Sequence, residues 1–265
     1  MNLRHTLLMI TILVLTAGLC STANGQNGNG SGNGNEVGNS GNQFGRIPDN
    51  HRSYLNALGN RSKKKGKEKT IYTGQLFDKA GKAKSVRIIH QLPNLVRLEG
   101  FKLGNAHISF DGERPHGANS QKEESYLETF AMDMAEGMLT SMQLKTAMRF
   151  LGSGFGPDPR KVPNYSGPRY DIISILDSVR CRNERVSRLK TYYLNAGTGL
   201  LQSTRYKDKT VSPPVKVETR FSVWGTIDGS AYPARIDRYE NGEVEFTFIA
   251  EEITAEPSTD VENFR

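Results

Sequence analysis

Three residues in the first half of the chain, His107, Asp111 and His116, are of types that ligate a metal, and a metallohydrolase needs such a set. Alternation puts His107 and Asp111 on the polar face of a predicted strand, and His116 follows Pro115 in a loop. They read as surface residues, and no metal is assigned. Cys181 stands among Arg180, Arg182 and Arg185, which would favour a thiolate, but it has no context for catalysis and reads as an incidental thiol. Gly152, Gly154 and Gly156 imitate a phosphate loop without the preceding strand and following helix that such a loop needs. G-x-S-x-G, H-E-x-x-H and C-x-x-C are missing from the sequence. The chemistry present therefore points to a binding protein and not to an enzyme, with no cofactor and no metal. The net charge of +7 is moderate and spread along the chain; it favours anionic surfaces and gives no sign of nucleic acid.

The start of the chain sets the compartment. Arg4 and His5 precede an apolar run from Leu7 to Leu19, and small residues surround Ala23-Asn24-Gly25. This is the layout of an export signal over residues 1–25, too short for the roughly 20 residues that cross a bilayer. Cleavage is expected before Gln26, giving an exported, periplasmic protein; lipidation at Cys20 is the less favoured alternative, because Leu19 stands where a small residue is wanted. Loss of Cys20 leaves Cys181 without a partner for a disulfide, so a packed core must carry stability. Residues 26–45 are nearly all Asn and Gly, with nothing to bury, and read as a disordered tether. A short helix is expected around His51 to Leu58. The basic run that follows, including Lys63, Lys64, Lys65 and Lys67, is a solvated loop or a docking point for an anionic membrane surface.

From Thr70 onward the dominant period is two. Val86, Ile88, His90 and Leu92 share a face opposite Ser85, Arg87, Ile89 and Gln91; Val215, Val217, Thr219, Phe221 and Val223 form another apolar row, and Val244, Phe246, Phe248 and Ala250 a third. Turn residues separate them at Asp78 to Gly81, Asp111-Gly112, Asn195 to Gly199, Asp228-Gly229 and Asn241-Gly242. The expectation is a large antiparallel sheet with one apolar face and one wet face. One segment departs from this. Between about 125 and 151, Leu127, Ala131, Met134, Met138 and Met142 lie on one helical stripe, and Leu144, Met148 and Leu151 continue on a shifted one; the shift, with Gly137 and the Thr140-Ser141 pair nearby, suggests a kink or two short helices. Gly152 to Pro159 is expected to end the helical region.

The order of these pieces resembles the LolA/LolB-like superfamily of exported lipoprotein-sorting and lipid-carrier proteins. Pro93 to Arg97 looks like that family's early Pro-x-x-x-Arg strand and Phe110-Asp111-Gly112 like its following turn. Tyr192-Tyr193-Leu194 to Thr198-Gly199-Leu200-Leu201 resembles the central hairpin. Asp228-Gly229, Tyr232-Pro233, Asn241-Gly242 and the closing Asp260 to Phe264 resemble the C-terminal hairpin and tail. Leu92 stands where the carriers have a basic residue, and Glu113 to His116 where they have an aromatic one. The resemblance implies a mainly β fold over residues 46–265, an incomplete antiparallel β-barrel or curved one-sided sheet covered by a helical segment, with a cavity for acyl chains.

That cavity is expected to be lined by Val86, Ile88, Leu92, Val217, Phe221 and Val223 from the sheet and by Met134, Met138 and Met142 from a movable cover whose unbranched side chains can repack. The ligand would be a lipid or acylated lipoprotein. The alternative is an envelope sensor or assembly factor that uses the same fold to bind a protein partner. On the cavity reading, Met138→Glu abolishes ligand binding with a modest fall in melting temperature.

Overall fold

The computed structural model describes residues 56–57, 59, 68–91, 95–101, 106–134, 138, 148–155, 167–181 and 184–265, the side chains of 155 and 177–186 excepted. The leader, Cys20, the Asn/Gly tether, Lys63, Lys64, Lys65 and Lys67, and the cavity candidates Leu92 and Met142 lie outside those residues. Of the short helix expected after the tether, Asn56 and Ala57 are helical.

The period-two segments form strands. In chain order they are β1 (Glu68–Asp78), β2 (Ala83–Gln91), β3 (Leu95–Glu99), β4 (Ile108–Asp111), β5 (Pro115–His116), β6 (Met148–Phe155), β7 (Arg169–Cys181), β8 (Glu184–Asn195), β9 (Leu201–Asp208), β10 (Val215–Ile227), β11 (Ser230–Glu240) and β12 (Glu243–Pro257). Asp228 and Gly229, and likewise Asn241 and Gly242, have positive φ at both central positions, the backbone of a hairpin turn whose twist matches its strands. Elsewhere side chains close the turns: Asp78 Oδ1 accepts from the amides of Ala80 and Lys82, and Asn195 Oδ1 from those of Gly197 and Thr198.

The strands make one antiparallel sheet in the order β5-β4-β3-β2-β1-β12-β11-β10-β9-β8-β7-β6, which does not close into a barrel. Successive strands are neighbours except once. The chain leaves the sheet at its β5 edge and re-enters at the opposite β6 edge, while β12 returns to pair with β1. A connection between opposite edges has to cross a face of the sheet, and this one carries the helix. Register shifts between Thr73 and Gly74 and between Arg238 and Tyr239 add local bend and twist. At Gly74 a Cβ would stand 2.1 Å from the Ile249 carbonyl oxygen, so glycine alone permits that approach.

The helix α1 (Gln121–Glu128) starts four residues before the expected place. Ser120 Oγ accepts from the Glu123 amide at 3.2 Å, and Glu123 Oε2 accepts from the Asn119 amide at 2.6 Å, an N-terminal box written in the sequence as S-x-x-E. The helix runs on into a π turn at Thr129–Asp133 and stops where Met134 becomes extended. The helical reading out to Leu151 is therefore corrected: Met138 is helical, but Met148 to Phe155, with Leu151 and Gly152, form β6. The spacing of Leu144, Met148 and Leu151 imitates a helix, whereas Met148 and Phe150 also alternate, and pairing with Ile175 and Ile173 decides between the two periods.

α1 buries Tyr126 and Leu127, and the π turn Phe130 and Ala131, against the inner face of the sheet. Phe130 is the hub, its ring 6.1 Å from Phe101, 6.0 Å from Phe246 and 5.6 Å from Phe248. The outer face is not uniformly wet, contrary to expectation. Ile89 and Gln91 are buried there, because the tail folds back: Phe264, in a 3-10 turn at Val261–Phe264, packs with Ile71, Ile89 and Leu95, and the Gln91 side chain bonds both backbone groups of Thr259 at 3.0 and 2.9 Å. Among the described residues no helix is long and apolar enough to cross a membrane. Phe264→Ala should lower the unfolding free energy by about 3 kcal/mol, read from urea midpoints; a loss below about 0.5 kcal/mol would mean that the tail is not part of the folded unit.

Candidate functional site

The floor beneath the helix is built by strand alternation. On β8, Arg188, Lys190, Tyr192 and Leu194 occupy every second position, so the two cations face inward with the two core residues. The same rule turns Thr204, Tyr206 and Asp208 of β9, Thr219 of β10 and Arg238 of β11 toward the cover.

Asp133, the last residue of the π turn, drops into this floor and, like Lys190, is wholly buried. Its Oδ1 accepts from Lys190 Nζ at 2.8 Å, its Oδ2 from Thr219 Oγ1 at 2.8 Å and from the Tyr206 hydroxyl at 3.4 Å, and its carbonyl from Thr204 Oγ1 at 3.0 Å. Arg238 Nη1 lies 3.7 Å from Asp133 Oδ2 and donates to Thr129 Oγ1 at 3.0 Å. Five residues earlier, Glu128 meets both guanidiniums: Arg238 Nη2 is 3.3 Å from its Oε2, and Arg188 Nη1 pairs with its Oε1. Arg188 also reaches Asp208 at 3.2 Å, and Arg238 reaches Glu240 at 3.0 Å. Burial opposes charge on Arg238, but Tyr206, Asp133 and Glu240 outweigh it and hold the guanidinium above its ordinary range. Burial also pushes the Tyr206 phenol well up, which keeps it a neutral donor between Arg238 and Asp133.

Beside this charged contact a cleft of about 760 Å³, its open mouth included, runs along α1. Leu127, Ala131 and Met132 form its helical wall, Phe110 and Val217 part of its sheet wall, and Arg188 and Arg238 line it as well. The space inside that could hold a ligand is about 80 Å³, below the roughly 300–1,000 Å³ of small-molecule sites, so a ligand could be taken in only if the cover lifts.

The expected cavity residues distribute as follows. Val86, Ile88 and Phe221 are buried on the inner face, and Met134 and Met138 join the same core from the cover. Val217 is buried and lines the cleft, the one cleft-lining residue among the described candidates. Val223 is corrected: it is 68% exposed, because a φ of 54° swings its side chain outward and Trp224 packs against the core instead. Val244, expected inward, is also exposed. Met138 is 0% exposed among core side chains, so a charge there has no path to water, and Met138→Glu is now expected to unfold the protein instead of sparing it.

His107, Asp111 and His116 do not converge. Asp111 Oδ2 meets His116 Nε2 at 2.7 Å, while Asp111 Oδ1 accepts from the amides of Glu113 and Arg114 to close the β4–β5 turn. Among the described residues no group of three His, Cys, Asp or Glu could hold a metal ion. The floor network and the Ser120–Glu123 box were not expected from the sequence. Both had a signal: the parity of Arg188 and Lys190 with Tyr192 and Leu194, and the S-x-x-E spacing.

The fold has a counterpart among solved structures. The LolA superfamily protein NE2245 from Nitrosomonas europaea superposes with a TM-score of 0.51 at 10% identity, over 81% of this chain and 96% of that one. The fold is similar to that of this LolA superfamily protein. A putative outer membrane lipoprotein-sorting protein domain from Vibrio parahaemolyticus gives a TM-score of 0.46 at 8% identity, over 82% of this chain and 97% of that one. A DUF1329 family protein from Desulfovibrio piger gives 0.43 at 11% identity, over 81% and 96%. No family model matches the sequence, and no curated protein does.

Two consequences can be measured. Asp133→Ala leaves Lys190 and Arg238 buried without their shared carboxylate and should cost about 3–5 kcal/mol in chemical denaturation; adding Lys190→Met should recover part of that loss. At Asp111, burial raises the carboxyl pKa, but the His116 bond and the Arg114 and Glu113 amides prevail and hold it at about 2, below the ordinary 3.8. Its contribution is complete above about pH 4 and is lost as pH falls toward 2. Asp111→Asn should therefore flatten the fall of melting temperature between pH 4 and pH 2; an unchanged slope would rule the contribution out.

Proposed function

We propose that this chain is an exported, periplasmic binding protein for a lipid or acylated ligand, and not an enzyme. The observation that carries the reading is the cleft: it opens between a sheet and a helical cover, its walls include Leu127, Ala131, Met132, Phe110 and Val217, and it lies on a LolA-type fold. The layout of residues 1–25 supports export, and the Asn/Gly run over 26–45 supports a tether ahead of the domain at 46–265. An acyl chain enters along the α1 wall, with Val86, Ile88, Phe221, Met134 and Met138 available as deeper lining once the cover lifts. Lys63, Lys64, Lys65 and Lys67 would hold the protein near an anionic membrane surface while cargo is exchanged.

One observation favours the second reading, a protein partner. Leu176 and Leu189 pair directly across β7 and β8 and are both exposed on the outer face, away from the cleft. The two readings separate cleanly. Protein purified from its own envelope should release lipid on solvent extraction and raise the fluorescence of a hydrophobic dye. Met132→Glu, at the half-buried cleft wall, should abolish dye binding while shifting the melting temperature by only a few degrees. A lipid-free extract with no dye binding would remove the lipid reading; dye binding lost in Leu189→Arg but kept in Met132→Glu would move the site to the outer face.

A further inference from the structure

The contact that closes the cover also specifies what can open it. On the sheet side are three inward cations, Arg188, Lys190 and Arg238, and two carboxylates, Asp208 and Glu240. The cover supplies the other two carboxylates, Glu128 and Asp133. Lifting α1 withdraws both and leaves an excess of positive charge on a floor walled by apolar side chains, where an unpaired charge is strongly disfavoured. A neutral acyl chain could fill the vacated space but would leave the three cations facing only the two sheet carboxylates, Asp208 and Glu240.

Glu128 marks what would satisfy them. Its carboxylate lies between the two guanidiniums, 3.3 Å from Arg238 and paired with Arg188, and the same cleft is walled by Leu127, Ala131 and Met132. An acidic head at that point would have its tail along the apolar wall. Resting on the lipid reading, we infer that the ligand is an anionic amphiphile, a lipid bearing a carboxylate or phosphate head, and that its head group displaces Glu128 from Arg188 and Arg238. Glu128 is then the internal competitor that keeps the cleft closed until an acidic lipid replaces it, and the cover responds to head-group charge as well as to tail length.

The test uses the full chain with its hydrophobic dye bound, titrated at pH 8 with oleate and, separately, with oleyl alcohol, which has the same tail and no charge. Acetate and inorganic phosphate serve as heads without tails. Oleate should displace the dye at a concentration at least about tenfold lower than oleyl alcohol, the scale of one charge-assisted pair, and the tailless anions should displace none at millimolar concentration. Glu128→Gln removes the competitor and should tighten oleate several-fold while leaving oleyl alcohol nearly unchanged. Equal potency of oleate and oleyl alcohol would overturn the inference and leave the lipid reading intact. Displacement by acetate or phosphate alone would overturn it in favour of a simple anion site. Failure of both lipids would remove the lipid reading and the inference together. Should Glu128→Gln not fold, the oleate-to-alcohol ratio of the unaltered chain decides.

Discussion

A carboxylate with no access to water has to find its charge partners before the chain can settle, and Asp133 finds them on four different strands. Lys190 comes from β8, Tyr206 and Thr204 from β9, Thr219 from β10 and Arg238 from β11. Buried ion pairs seldom add much net stability, since desolvation offsets most of their attraction, but an incomplete one is severely penalised. The consequence is positional. Hydrocarbon packing by Phe130 and Tyr126 would tolerate a helix that slides or rolls on the sheet; the Asp133 and Glu128 contacts permit one register.

That register matters because of how the chain is threaded. Two meanders, β1 to β5 and β6 to β12, meet at the β1–β12 pair, and the link between them runs from one edge of the sheet to the other. The cover is therefore tied at both ends and can move only as a strap over the inner face. On the outer face the tail around Phe264 does the reverse job, holding β1, β2 and β3 together behind the cover. A strap held by charge over an open cleft, on a sheet braced from behind, is an arrangement suited to admitting a ligand without unfolding.

Much of this was legible in the residues. Alternation located the strands, and Asp228-Gly229 and Asn241-Gly242 located two of the hairpins, because a two-residue turn with both φ angles positive admits few residue types. The end of the helix was not legible: Met148-Arg149-Phe150-Leu151 fits both periods, and only pairing with β7 selects the strand. Val223 failed for a local reason, a positive φ that reverses one side chain in an otherwise regular row. The charged floor was not drawn from the sequence, although the parity of Arg188 and Lys190 with Tyr192 and Leu194, and of Arg238 with Ile236, places them inside.

The most direct measurement is native-state hydrogen exchange over residues 121–134 in the ligand-free protein. If the buried contacts of Asp133 and Glu128 hold the cover in one register, those amides exchange nearly as slowly as the central strands β10 to β12. Exchange at the rate of the exposed turns, with the sheet still protected, would show that the cover is not held by these contacts and would contradict the account.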